Sequence, residues 1–388
     1  MAKLNNSNLL DFSMKQRLVY LDNIKVFLIA YVITGHIAAS YGAIGGGRWS
    51  YIEQGNDFLT KAVLSLFVLV AYSFLMGMFI FIAGYFTYPS LKSKGVSLFV
   101  KDRIVRLAIP LILYYFILGP VARYITKLAK GEDLSFSQFM SDSYQSGVYG
   151  HLGVMWFIVL ILLFSLAYAL FYRFFPDGLY KPKNELFPRA SRILLFVIIV
   201  GAASYLTRII FPMGGDFTGS RPLGSMVFFG TSFFLGTAAA RYQWLDKLTW
   251  ENSKPWVITA IVAMIIPVIL LLIFKKNLHF RLIAQPGSLA SLFYAYWEVI
   301  KTLGTGMAAI VIFRKWLNTP GKFANALGRS VLLSYFLHPL VCALFFYSLA
   351  ATGLHPLVKF SIVAPGALVS TFGLAWLLLQ IPVIRKIM

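Results

Sequence analysis

The residues of this chain that could do chemistry are few, and they sit in apolar company. The stretch LDNIKVFLIAYVITGH, residues 21–36, is mostly Leu, Ile, Val, Phe and Ala, yet it holds Asp22, Lys25 and His36. On a helix at about 100° per residue, Lys25 and His36 fall within roughly 20° of one face and about 16 Å apart along the axis, with Asp22 within about 60° of both. An imidazole titrating near neutral pH is suited to take a proton from a hydroxyl, and an ammonium can stabilise developing negative charge. Ionisable groups at membrane depth are costly and normally face a water-filled cavity or a partner. The plainer alternative is that Asp22 and Lys25 pair and snorkel at a membrane surface, and that a neighbour satisfies His36.

Other candidates are scattered. Arg103 and Arg106, in VKDRIVRLAIP, share a helix face, and guanidinium groups at that spacing suit a phosphate, although anchoring or lipid headgroup binding would use the same residues. His151 opens the segment GHLGVMWFIVL, close to Trp156, where an interfacial role is the alternative. His338 precedes Pro339 in LLSYFLHPLV, which also fits a ring bonded to a carbonyl freed by the proline. Glu298 and Lys301, in YAYWEVIKTLG, lie one turn apart and fit either an ion pair within the bundle or a substrate contact. The five His show no His-x-x-x-His spacing, so no metal site is expected. No nucleotide-binding or hydrolase fingerprint occurs either. The single Cys342 excludes a disulfide within the chain.

The elements that must position these groups are readable from composition. Of 388 residues, 59% are hydrophobic and 13% charged, against about 45–50% and about 25% in ordinary globular domains. The apolar residues gather into runs of about 20, the length that crosses a hydrocarbon core. Ten spans are expected, near 18–40, 62–88, 103–126, 152–175, 190–211, 223–241, 255–274, 291–313, 331–352 and 357–383. This makes an all-α, polytopic membrane helix bundle, read as one domain over 1–388 with a short polar cytoplasmic segment at 1–17. The net charge of +21 is spread through short loops rather than gathered in an arm, so no nucleic-acid partner is expected. With both termini in the cytoplasm, inner loops hold 22 Lys and Arg and outer loops 11, the bias that sets membrane orientation.

Taken together these residues resemble the acyltransferase-3 family of integral membrane acyltransferases. Lys25 and His36 are similar to its Arg/Lys-x10-His signature, Ile82-Ala83-Gly84-Tyr85 to its ISGY segment, and Arg103-Ile-Val-Arg106 to its Arg-x-x-Arg motif. HLGVMWFIV is similar to its HLWFL element, and SYFLHPLV to its YLLH element. Two positions depart from the pattern: four residues separate His151 from Trp156 where the family often has one, and Ala83 replaces a common Ser, which points to packing there. In size and style the chain most resembles the glucans-biosynthesis-protein-C-like subgroup, whose members succinylate periplasmic glucans.

The resemblance implies acyl transfer from cytoplasmic acyl-CoA, as acetyl-CoA or succinyl-CoA, to a hydroxyl of an extracytoplasmic glycan, with no resident cofactor. It implies a multi-pass protein of the bacterial cytoplasmic (inner) membrane, with the lipid bilayer as its surroundings. Arg103 and Arg106 would hold the coenzyme phosphates, and the pantetheine arm would follow the polar line of the first span. His36 would serve as general base or carry the acyl group transiently, and Lys25 would supply positive charge along the donor path. Asp22 would hold Lys25, while Tyr85, His151, Trp156, Glu298 and His338 would support the centre or face the acceptor. A transporter or flippase of a polar lipid or saccharide, using the same intramembrane groups without acyl chemistry, is the rival reading.

Overall fold

The computed structural model describes residues 18–43, 51–145, 152–176, 187–212, 222–274 and 285–388. No strand occurs among them, and eight helices are long and apolar enough to cross a membrane. The chain is an all-α polytopic membrane bundle. Its helices are α1 (Val19–Tyr41), α2 (Phe58–Arg103), α3 (Gly119–Ala129), α4 (Phe136–Gln145), α5 (Trp156–Phe174), α6 (Ala190–Ile210) and α7 (Met226–Arg241). They continue with α8 (Trp244–Lys247), α9 (Trp250–Phe274), α10 (Leu289–Trp316), α11 (Lys322–Ala350), α12 (Pro356–Leu378) and α13 (Pro382–Ile387).

One apolar element runs from Phe58 to Ala129, 72 residues, far more than the ~20 that one crossing needs. Gly95 resolves the excess. Its backbone sits at φ 74°, ψ 166°, outside the helical region and open mainly to glycine. The chain reverses there, as two contacts show. Lys94 pairs with Asp102 at 2.5 Å, whereas a straight helix would hold those residues about 12 Å apart. Arg103 Nη2 donates to Thr87 Oγ1 at 3.4 Å across sixteen residues. Beyond Arg103 the chain alternates between π-helical turns (Ile104–Ala108, Tyr114–Leu118) and α-helical turns (Ile109–Leu113) before α3. The spans expected at 62–88 and 103–126 are thus the two limbs of this hairpin, and the span expected at 255–274 falls on α9.

Apolar residues cover every side of α1, a pattern that suits a helix enclosed by others. It packs against α2, α10, α11 and α12, and fourteen of its residues are buried, His36 among them. The outer helices do the opposite. Leu194, Leu195, Ile198 and Ile199 of α6, and Ile258, Ile261, Val262 and Ile265 of α9, are exposed and form the greasy stripes a lipid-facing helix requires.

At the outer end by the loop-charge assignment, the segment before α2 is tied down. Asp57 caps α2 by accepting from the Thr60 N–H at 2.6 Å, and it also meets His355, the N-cap residue of α12, at 2.9 Å. The Thr60 bond first, and then the His355 contact, hold the Asp57 carboxyl down at about 2, so it stays charged from neutral to mildly acidic pH. Nearby, the buried Lys359 of α12 binds Glu53 at 3.0 Å.

The tightest helix contact is α2 against α7. A Cβ added at Gly84 would strike the Phe233 carbonyl, and one at Gly236 would strike the Phe81 carbonyl, so both glycines permit backbone-to-backbone approach. Gly84→Ala or Gly236→Ala is expected to destabilise the protein by about 1–3 kcal/mol or more through forced separation of the helices. Gly373→Ala, where an added Cβ meets nothing within 4 Å, should be neutral or stabilise by about 0.5–1 kcal/mol. Thermal unfolding midpoints in one detergent compare the three.

Candidate active site

Between α1, the α2 hairpin, α5, α11 and the end of the chain lies a cavity of about 1110 Å³. Its mouth is basic. Lys25, Lys94, Arg103, Arg106, Lys322, Arg329 and Arg385 line it, seven cations against the acid Asp102. Apart from Lys25, all belong to groups that the charge bias places at the cytoplasmic surface. From there the wall runs inward past Phe86, Ala83, Ile82 and Phe79 of α2, Ile29 of α1 and Phe157 of α5, to Tyr335 of α11.

The hairpin at Gly95 brings Arg103 and Arg106 to this cavity by folding their segment back over the limb that carries Phe79–Ser90. Arg103 is fixed twice, by its bond to Thr87 and by lying 4.9 Å from the Phe99 ring centroid. Lys25 pairs with Asp22 at 2.7 Å and lies 4.8 Å from the Phe86 ring centroid. The surface pairing anticipated for those two forms, and the ammonium also faces the cavity.

His36 lies deeper and is buried, and its ring stacks on that of His338, with centroids 5.6 Å apart and planes 16° apart. The sequence singles out both histidines, and the fold brings them together. The line from Lys25 to His36 does not follow one open channel: α1 contributes Lys25 and Ile29 to the cavity wall, and the wall then passes to Tyr335, one turn before His338. Tyr335 lies 5.4 Å from the His338 ring, ring to ring. Its hydroxyl donates to the Val154 carbonyl at 2.5 Å, joining α11 to the start of α5.

The remaining candidates go elsewhere. Glu298 forms its ion pair with Arg208 of α6 at 2.5 Å, and Lys301 Nζ lies 2.8 Å from the Trp297 ring centroid, so the pairing anticipated between Glu298 and Lys301 gives way to contacts between helices and with an aromatic face. Tyr85 packs edge-on against Phe86, within the α2–α7 contact, and Trp156 lies against Phe229 of α7. Neither is among the residues lining the cavity. Ala83, anticipated as a packing position, is on the cavity wall. His151 lies outside the described residues.

Lys94, Lys322, Arg329 and Arg385 of the cavity lining are not singled out by motif or spacing in the sequence. Only their shared sign and side of the membrane could have flagged them. Arg208 and Lys359 are almost wholly buried in ion pairs. Breaking a buried pair strands its partner, and Glu298→Ala is expected to destabilise by about 3–5 kcal/mol. The double variant Arg208→Met with Glu298→Met should recover most of that loss, which thermal unfolding of the single and double variants will show.

A family model described as an acyltransferase domain matches residues 18–380. Glucans biosynthesis protein C of Escherichia coli O157:H7 (strain EC4115 / EHEC), and the protein of the same name from Escherichia coli O157:H7, are each 24% identical to this chain over 257 residues. The match covers 64% of this chain and 65% of each of those proteins, just under two thirds of the relatives' own length. No solved structure matches.

Proposed function

Since the chain belongs to the acyltransferase family that matches residues 18–380, we propose that it moves an acyl group from cytoplasmic acyl-CoA to a saccharide hydroxyl on the far side of the membrane. The observation that carries the donor assignment is the seven-cation lining of the cavity, whose wall also reaches Tyr335, one turn from a stacked pair of histidines. Coenzyme A is a polyanion at one end and a flexible, mostly neutral arm at the other. Arg103, Arg106, Arg329 and Lys322 take the phosphates, for which guanidinium groups are the best-shaped partners. The arm then runs inward along Phe86, Phe79 and Phe157 and brings its thioester toward the buried end.

His36 is the general base. It takes the proton of the acceptor hydroxyl as that oxygen bonds to the thioester carbonyl carbon, and it returns the proton to the thiolate as the C–S bond breaks. Such assistance contributes about 10²–10⁴-fold in rate. Lys25 supplies positive charge along the donor path, and Asp22 keeps its ammonium in place. A glucan is the acceptor class that the name of the E. coli relatives suggests, with acetyl and succinyl as the candidate acyl groups. The bacterial inner membrane is the setting in which a cytoplasmic donor and an external glycan meet across one bilayer.

Purified protein in nanodiscs with acetyl- or succinyl-CoA and a glucan acceptor is expected to release free thiol. His36→Ala should lower kcat at least about 100-fold. Arg106→Ala and Arg329→Ala should each raise the donor KM about tenfold, about 1.4 kcal/mol, with kcat retained. Neither turnover nor binding of either thioester by a folded wild-type protein would overturn the donor assignment and favour a transporter.

A further inference from the structure

Proline at 339, inside α11, has no N–H to give the carbonyl of Tyr335 four residues earlier. A buried carbonyl that loses its helical donor needs another. His338 provides it, with Nδ1 2.7 Å from the Tyr335 oxygen. A carbonyl oxygen only accepts, so Nδ1 carries the proton, and in the neutral ring the lone pair belongs to Nε2. One backbone defect therefore sets both the rotamer and the tautomer of a fully buried histidine. The same Tyr335 is anchored through its hydroxyl to Val154 and lines the cavity, so the lock is built into the cavity wall.

The His36 ring lies nearly parallel to this fixed ring. Among the described residues, Asp22 pairs with Lys25, Glu53 with Lys359 and Glu298 with Arg208. Lys301 of α10 lies over Trp297, Lys359 of α12 is held by Glu53, and Lys94 of α2 is paired with Asp102. On α11, Tyr335 and Cys342 are uncharged types at neutral pH.

We propose that His338 is the positioning residue of the reaction centre: its ring, locked by the carbonyl that Pro339 frees, holds the His36 imidazole by stacking and makes the two rings titrate as one unit. This rests on the acyl-transfer reading only for its catalytic consequence. The stacked partner fixes the plane in which the His36 nitrogens point, and hence the direction from which the acceptor hydroxyl gives up its proton. His36 remains the base, and His338 acts through it.

Two variants isolate the lock. His338→Asn keeps a side-chain donor for the Tyr335 carbonyl but removes the ring. Pro339→Ala restores the backbone N–H, which takes the carbonyl back and releases His338 while leaving the helix more regular. The first readout is ¹⁵N NMR of histidine-labelled protein in nanodiscs, which needs no turnover. With five histidines in the chain, single substitutions assign the signals. The wild type is expected to show His338 as the Nδ1–H tautomer, Pro339→Ala to lose that preference, and His36 to titrate differently in His338→Asn.

The second readout is thiol release. Both variants should lower kcat about 10- to 100-fold, as loss of an orienting partner typically does. The donor KM should be unchanged, and the acid limb of the pH profile should move, as expected when one member of a coupled pair is removed. An Nε2–H tautomer in the wild type, an unaltered His36 titration in His338→Asn, or wild-type kinetics in Pro339→Ala would each overturn the proposal. The expected NMR pattern with no thiol release from the wild type would support the histidine pair and remove the acyltransferase reading instead.

Discussion

Everything in this protein follows from keeping an acid, an amine and an imidazole on one helix inside hydrocarbon. A charged side chain at the centre of a membrane helix costs about 2.5–3.5 kcal/mol on insertion scales, and more where it cannot reach water or a partner. α1 carries one ion pair and an imidazole, and both are costly to leave against lipid. The bundle wraps it with α2, α10, α11 and α12, and each polar group finds company there. Asp22 and Lys25 neutralise one another at a basic cavity, and His36 lies against a second imidazole. The greasy, outward-facing residues of α6 and α9 are the counterpart of this arrangement, since those helices carry the lipid contact that α1 gives up.

The second constraint is how a continuous apolar run yields a phosphate-sized basic surface. Gly95 lets α2 turn back on itself, and the reversal stacks the Arg103–Arg106 segment over the limb that carries Thr87, Phe86 and Ala83. The other side of the same limb is pressed against α7 through Gly84 and Gly236. One limb thus has a glycine face for tight packing and an aromatic face for the cavity, and a single-residue step separates Ala83 on one from Gly84 on the other. The basic mouth is then completed by residues from the start of α11 and the end of the chain, far away in sequence. Electrostatic focusing in a cleft of one sign, walled by low-dielectric material, favours a polyanionic ligand more than the same charges spread over a surface would.

A proline in the middle of a membrane helix serves a related purpose. Helix-breaking residues are tolerated in membranes when something else satisfies the freed backbone. In α11 that something is the neighbouring histidine, which turns a structural liability into a fixed hydrogen-bonding direction beside the buried end of the cavity. The ion pairs Arg208–Glu298 and Lys359–Glu53 show the same rule applied purely to structure: each joins two segments of the bundle through a cation that is almost wholly buried.

By itself the sequence determined the class of solvent, the helical spans and the residues able to do chemistry, because these depend on local quantities. Runs of about 20 apolar residues must be membrane helices, and a helical period places Asp22, Lys25 and His36 on one face whatever surrounds them. The order of the short motifs was likewise enough to bring the family into view. Tertiary structure decided who faces whom. That Glu298 takes Arg208 rather than Lys301, that His36 meets His338, and that Lys322, Arg329 and Arg385 join Arg103 and Arg106 are outcomes of helix packing between residues far apart in the chain. In a bilayer no water gradient ranks one apolar face against another, so small residues, shape and buried polar partners choose the neighbours, and a linear reading cannot see those choices.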